Sequence, residues 1–67
     1  MKLSDLGVGK DAIIIYCGNR RLNDLGFLTG ANVVCVYKSP LGDPVAFLVQ
    51  KTVIALRIED SRCIEVE

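Results

Sequence analysis

The stretch Asn32-Val33-Val34-Cys35-Val36-Tyr37-Lys38, Ser39-Pro40-Leu41-Gly42-Asp43-Pro44, Val45-Ala46-Phe47-Leu48-Val49-Gln50, Lys51-Thr52, Val53-Ile54-Ala55-Leu56-Arg57-Ile58 decides how this chain folds. Its three runs are rich in β-branched and apolar residues, and turn chemistry separates them. Two prolines bracket Gly42-Asp43 in the first connection, and Gln50, Lys51 and Thr52 make a tight polar second one. Strands joined this closely pair as antiparallel hairpins. Residues 32–58 therefore read as a three-stranded meander.

Side chains on a strand alternate between faces, which sets the phase of each run. If Val33 and Cys35 face the core, Val34 and Val36 face away; if Val45, Phe47 and Val49 face in, Ala46 and Leu48 face out. The meander thus has more apolar residues than one inward face holds. An exterior patch above a few hundred Å² usually marks an interface, although valines also serve simply as β-formers on a solvated sheet.

Working outward, Ala12–Cys17 (AIIIYC) is a further strand, and its unbroken apolar run implies burial on both faces or nearly so. Before it, Leu3 and Leu6 share one side of a single turn. After it, Asn19 is placed to cap a short helix over Arg20–Leu25, with Leu22 and Leu25 on one face and Gly26 where a helix favours a left-handed residue. Ile58–Arg62 can form one helical turn, and Cys63–Val66 a last strand. The fold class is mainly β: a small closed or half-closed barrel of about five antiparallel strands with one short helix.

Composition narrows the function. Sixty-seven residues make one domain, 1–67. Eight basic and eight acidic side chains cancel, so no electrostatic case exists for nucleic acid or an anionic membrane, and the expected partner is another protein. Arg20, Arg21, Lys38, Lys51, Arg57 and Arg62 are interspersed with acids, and there is no glycine-rich phosphate loop. Histidine is absent, which removes the usual general base near neutral pH and the commonest metal ligand; no enzyme activity, cofactor or metal is expected. Cys17, Cys35 and Cys63 have no C-x-x-C spacing. They read as buried apolar residues on three strands, in a reducing compartment. The longest uncharged run, Leu25–Tyr37, has 13 residues and is broken by glycines, too short to span a bilayer. Asp5 argues against a signal peptide, so a cytoplasmic location without membrane insertion is expected.

Leu3-Ser4-Asp5-Leu6 with Gly9, Arg21-Leu22 and Asp24-Leu25-Gly26 with Gly30, Pro40-Leu41-Gly42-Asp43-Pro44, Ala55-Leu56-Arg57 and Ile64-Glu65-Val66 together resemble the FeoA family over nearly the whole chain. The Leu-Gly-Asp-Pro turn and the Asp-Leu-Gly helix end, in this order and separation, are its most specific parts. The chain departs from the family pattern at Leu28-Thr29-Gly30 and at Glu59–Cys63. The resemblance implies an SH3-like barrel acting in the cytoplasm in bacterial ferrous iron uptake, docking on the FeoB membrane GTPase and modulating it. The same barrel occurs in iron-dependent repressors, so a metal-linked regulatory barrel is the alternative. A second copy of the chain, joined through an apolar sheet face, is a further candidate partner.

The candidate contact residues are Arg21, Leu22, Leu25 and Gly26 on the helix and its exit, Val34, Val36 and Leu48 on the outer sheet face, and Leu41, Asp43 and Arg57 at the turn and strand end. Asp43 has two readings, an exposed charge for a partner or an acceptor for nearby turn amides. Arg57 is expected to pair with Asp43 or Glu59.

Overall fold

The computed structural model describes all 67 residues, with the meander at its centre. The strands are β1 (Asp11–Cys17), β2 (Asn32–Lys38), β3 (Val45–Val49), β4 (Thr52–Leu56) and β5 (Ile64–Val66). Two short helices, α1 (Arg20–Asp24) and α2 (Ile58–Ser61), lie between them, and a 3-10 turn at Leu3–Asp5 precedes β1. The strands form one antiparallel sheet in the order β4-β3-β2-β1-β5, curled around a single apolar core and left open between its terminal strands. The expected mainly β, half-closed barrel is what forms, with α2 as a second one-turn helix.

Within the meander, Val33 lies opposite Val49 and Cys35 opposite Phe47, and Phe47 lies opposite Ile54. Of the two phases open to these strands, the one with Val33, Cys35, Val45, Phe47 and Val49 inward is the one that forms, since all five are buried. Gln50 and Lys51 both adopt positive φ (51° and 65°), the twist of a two-residue hairpin turn. That turn begins β4 at Thr52 and puts Leu56 inside and Val53 and Ala55 outside.

β1 departs from its sequence reading. Ala12, Ile14 and Cys17 are buried, but Ile13, Ile15 and Tyr16 are exposed. The strand changes partners midway: Asp11–Ile13 pair with β2, whereas Ile14, Tyr16 and Cys17 pair with β5 across a bulge. The extra residue lets Ile15 and Tyr16 both point outward and returns Cys17 to the core. An unbroken apolar run thus hides an alternating strand.

α1 is set by its ends. The Leu22 amide donates to Asn19 Oδ1 at 3.2 Å, satisfying a first-turn N–H. At the other end Phe27 N–H donates to Leu22 O (3.1 Å) and Gly26 N–H to Asn23 O (3.0 Å), the paired bonds of a Schellman motif. Gly26 has φ +114°, and a Cβ there would sit 3.1 Å from Gln50 Cγ. The motif brings Leu22 and Phe27 into the core, where both are fully buried. Phe27 meets Phe47 edge to face, with ring centroids 6.5 Å apart.

The β5 edge is covered by the chain's own start. Lys2 bridges to Glu65, and Val66 N–H donates to the Met1 carbonyl at 2.8 Å. Lys2 Nζ lies 2.9 Å from Glu65 Oε1. This hydrogen bond, helped by the opposite charge, holds the Glu65 carboxyl below its ordinary range and the Lys2 ammonium above its own. A lowered carboxyl pKa contributes stability at neutral pH that is lost as pH falls through the folded-state value; a raised lysine pKa contributes stability lost as pH rises through its folded value. In thermal melts Glu65→Gln is therefore expected to match the parent in strong acid and to fall slightly below it at neutral pH, by little because the pair is solvated.

Candidate functional site

With no enclosed pocket on the surface, chemistry toward a partner must act on exposed faces. One apolar face is the outer side of the meander. The register places Asp11, Val34, Leu48 and Val53 in one row across β1, β2, β3 and β4. Tyr37, Ala46 and Ala55 form the next row. A bulge between Cys35 and Tyr37 turns both Val36 and Tyr37 outward. Val53 is 61% exposed. Such cross-strand neighbours, about 5 Å apart, make one continuous surface. Its charged groups stand at the rim: Asp11 at the β1 end, Lys51 at the hairpin tip and Arg57 just beyond β4.

The predicted contact residues fall into three places. Val34, Val36 and Leu48 share the outer face, in the phase expected of them. Leu41, Asp43 and Arg57 gather at the end of β4. Leu41 is 94% exposed at the tip of the turn, whose Gly42 N–H donates to Ser39 O at 2.8 Å. Asp43 points away from that turn: its Oδ1 accepts the Ile58 amide at 3.0 Å, 15 residues along the chain, and its Oδ2 lies 3.9 Å from Arg57. The expected Arg57–Asp43 pair is present, while Asp43 caps the start of α2 in place of bonding turn amides.

The helix group is corrected in part. Leu22 is fully buried and presents nothing to a partner; Gly26 serves the Schellman geometry. Leu25 is exposed, because the helix ends before a second apolar turn can pack. Arg21 reaches Asp60 at 3.0 Å and ties α1 to α2. Gly26 is the helix group's link to the meander, against Gln50 of the β3–β4 turn.

The cysteines also divide. Cys17 and Cys35 are buried as expected, but Cys63 is exposed in the turn before β5, where its thiol donates to Glu59 O. That turn leaves no strand neighbour to cover it. No three Cys, Asp or Glu side chains converge as a metal site would require.

The sequence reading passed over Val53, Ala55 and Tyr37. Tyr37 depends on a bulge, and Val53 and Ala55 on a two-residue turn whose Gln50-Lys51 pair lacks the usual Asn-Gly signature. Only the register fixed their phase.

The Asp43 corner yields a stability contrast. Asp43→Ala removes a charged acceptor from a partly buried amide and is expected to cost about 1–3 kcal/mol in urea unfolding. Arg57→Ala should cost under about 0.5 kcal/mol, since the arginine is 73% exposed and its pair is long.

The FeoA domain model matches residues 1–67. A fusion of Fe(2+) transport protein A with the Fe(2+) transporter FeoB, from Porphyromonas gingivalis, is 36% identical over 72 aligned residues; it is matched along the whole chain, which spans 8% of the fusion's length. Solved structures matched by the whole chain include three FeoA-type proteins. The Chlorobium tepidum FeoA protein superposes with TM-score 0.92 at 32% identity, 69% of it covered. Iron(II) transport protein A from Clostridium thermocellum gives 0.94 at 35%, 44% of it covered. Stenotrophomonas maltophilia FeoA, an SH3 domain protein solved with zinc, gives 0.88 at 34%, 89% of it covered. A five-stranded SH3-like barrel matched from end to end by the family's model and by several of its solved members places this chain in the FeoA family, whose domains are small accessories of ferrous iron transport.

Proposed function

We propose that this chain docks on the cytoplasmic part of a FeoB-type membrane GTPase and modulates ferrous iron uptake, with the outer face of β2, β3 and β4 as the contact surface. The observation that carries the reading is the fused relative, in which a domain 36% identical to this chain is covalently joined to FeoB. Fusion holds two modules at high effective concentration. A separate chain has to reach the same arrangement through its own affinity, and the apolar rows around Val34, Leu48 and Val53 offer the area for it.

The chain acts as a binding module in the cytoplasm, where the GTPase part of the transporter is accessible; none of its helices is long and apolar enough to cross a membrane. Docking changes nucleotide turnover or gating only if the chain binds two states of the transporter with different affinity. Calorimetric titration of the isolated cytoplasmic part of FeoB, nucleotide-free and nucleotide-bound, tests this. Binding to at least one form, with affinities that differ between the two, is the expected result. No heat and no co-purification in either form would refute the reading.

A further inference from the structure

We infer that the open edge of β4 is a strand-addition site for an extended partner segment that is apolar at alternate positions and acidic at its two ends. This rests on the docking reading for its biological partner, but its chemistry stands on β4 alone. The sheet has two terminal strands. The β5 edge is closed by Met1 and Lys2, whereas no backbone hydrogen bond outside the β3 ladder engages Thr52–Leu56. The two-residue turn makes Val49–Thr52 a hydrogen-bonded pair, so bonding to β3 alternates from there and the N–H and C=O groups of Val53 and Ala55 point away from the sheet. An exposed, apolar edge of this kind is a template for another strand.

Charge selects the occupant. The edge runs from Lys51 through Thr-Val-Ile-Ala-Leu to Arg57, with a cation at each end and no acid between. In a second copy paired antiparallel about Ile54, Val53 would exchange bonds with Ala55 of the copy. Lys51 would then face Arg57 of the copy at both ends, a like-charge pairing that destabilises. The neighbouring registers, centred on Val53 or Ala55, part these cations but need the ladder to run past the five residues of β4. One would draw in Lys51, which has positive φ, and the other Arg57, the residue that caps α2. A strand with acidic ends meets Lys51 and Arg57 favourably. Its alternate apolar side chains extend the rows that end at Val53 and Ala55.

The probe is a synthetic heptapeptide, Glu-Thr-Val-Thr-Val-Thr-Glu, whose acids and valines share one face, beside the same peptide with lysine at both ends, titrated into the 15N-labelled full chain at low salt. The expected result is at least tenfold slower amide exchange at Val53 and Ala55, with the acidic peptide binding at least tenfold tighter than the lysine one. Ala55→Pro removes an edge donor that no internal bond uses and is expected to abolish the protection at Val53. Lys51→Glu with Arg57→Glu leaves the backbone alone and should invert the preference between peptides. Equal binding of the two peptides, or protection located elsewhere, overturns the assignment. So does concentration-dependent protection of these amides without peptide, which would make a second copy the occupant. Undiminished docking of Ala55→Pro on the cytoplasmic part of FeoB overturns the edge as its contact and leaves docking intact; loss of wild-type docking while the acidic peptide still binds refutes docking and supports the edge.

Discussion

Phe27→Ala is expected to leave this protein largely unfolded on modest heating, lowering the melting temperature by roughly 12–40 °C. Truncating a buried phenylalanine costs about 3–5 kcal/mol, and 1 kcal/mol corresponds to about 4–8 °C for a domain this small. A chain of 67 residues has a total stability of only about 3–10 kcal/mol. Phe27 is fully buried, meets Phe47 edge to face, and is the residue the Gly26 turn delivers into the core. Its loss removes core area and the apolar end of the Schellman motif together. Leu41→Ala, at the exposed tip of the turn, should leave the melting temperature within about 4 °C. Circular dichroism melts of both variants read the contrast.

The second large effect concerns binding. Leu48→Asp and Val53→Asp each put a charge in the middle of the apolar row, and each is expected to weaken docking on the cytoplasmic part of FeoB at least thirtyfold in calorimetric titration. That corresponds to the roughly 2 kcal/mol that separates a central contact residue from its neighbours. Both side chains already meet solvent, so the fold should survive, with the melting temperature moving by no more than about 8 °C. A variant that binds as tightly as the parent would move the contact surface elsewhere on the barrel.

What the sequence made legible follows from periodicity. β2 and β3 were readable as strands from the strong turn signals that bound them, whereas apolar residues in both phases left open which set faces inward. The caps of α1 were readable from Asn19 and Gly26. β1 was misread because three isoleucines carry no alternation of their own: the bulge that turns Ile15 and Tyr16 outward is a property of its two partners, β2 and β5. The exposure of Cys63 was hidden in the same way, since it depends on where β5 begins. Leu22 was read as a partner contact on the apolar face of a short helix, yet the Schellman motif directs it inward beside Phe27. Asp43 shows the limit most clearly. Its role depends on Ile58, 15 residues away, a contact made only when the barrel brings the Leu-Gly-Asp-Pro turn against the end of β4.

The docking surface is tested most directly by adding the unlabelled cytoplasmic part of FeoB to the 15N-labelled chain and following the amide spectrum. Changes concentrated at Val34, Val36, Ala46, Leu48, Val53 and Ala55 are the predicted result. An unchanged spectrum, or changes confined to Met1–Leu6 and β5 on the covered edge, would contradict it.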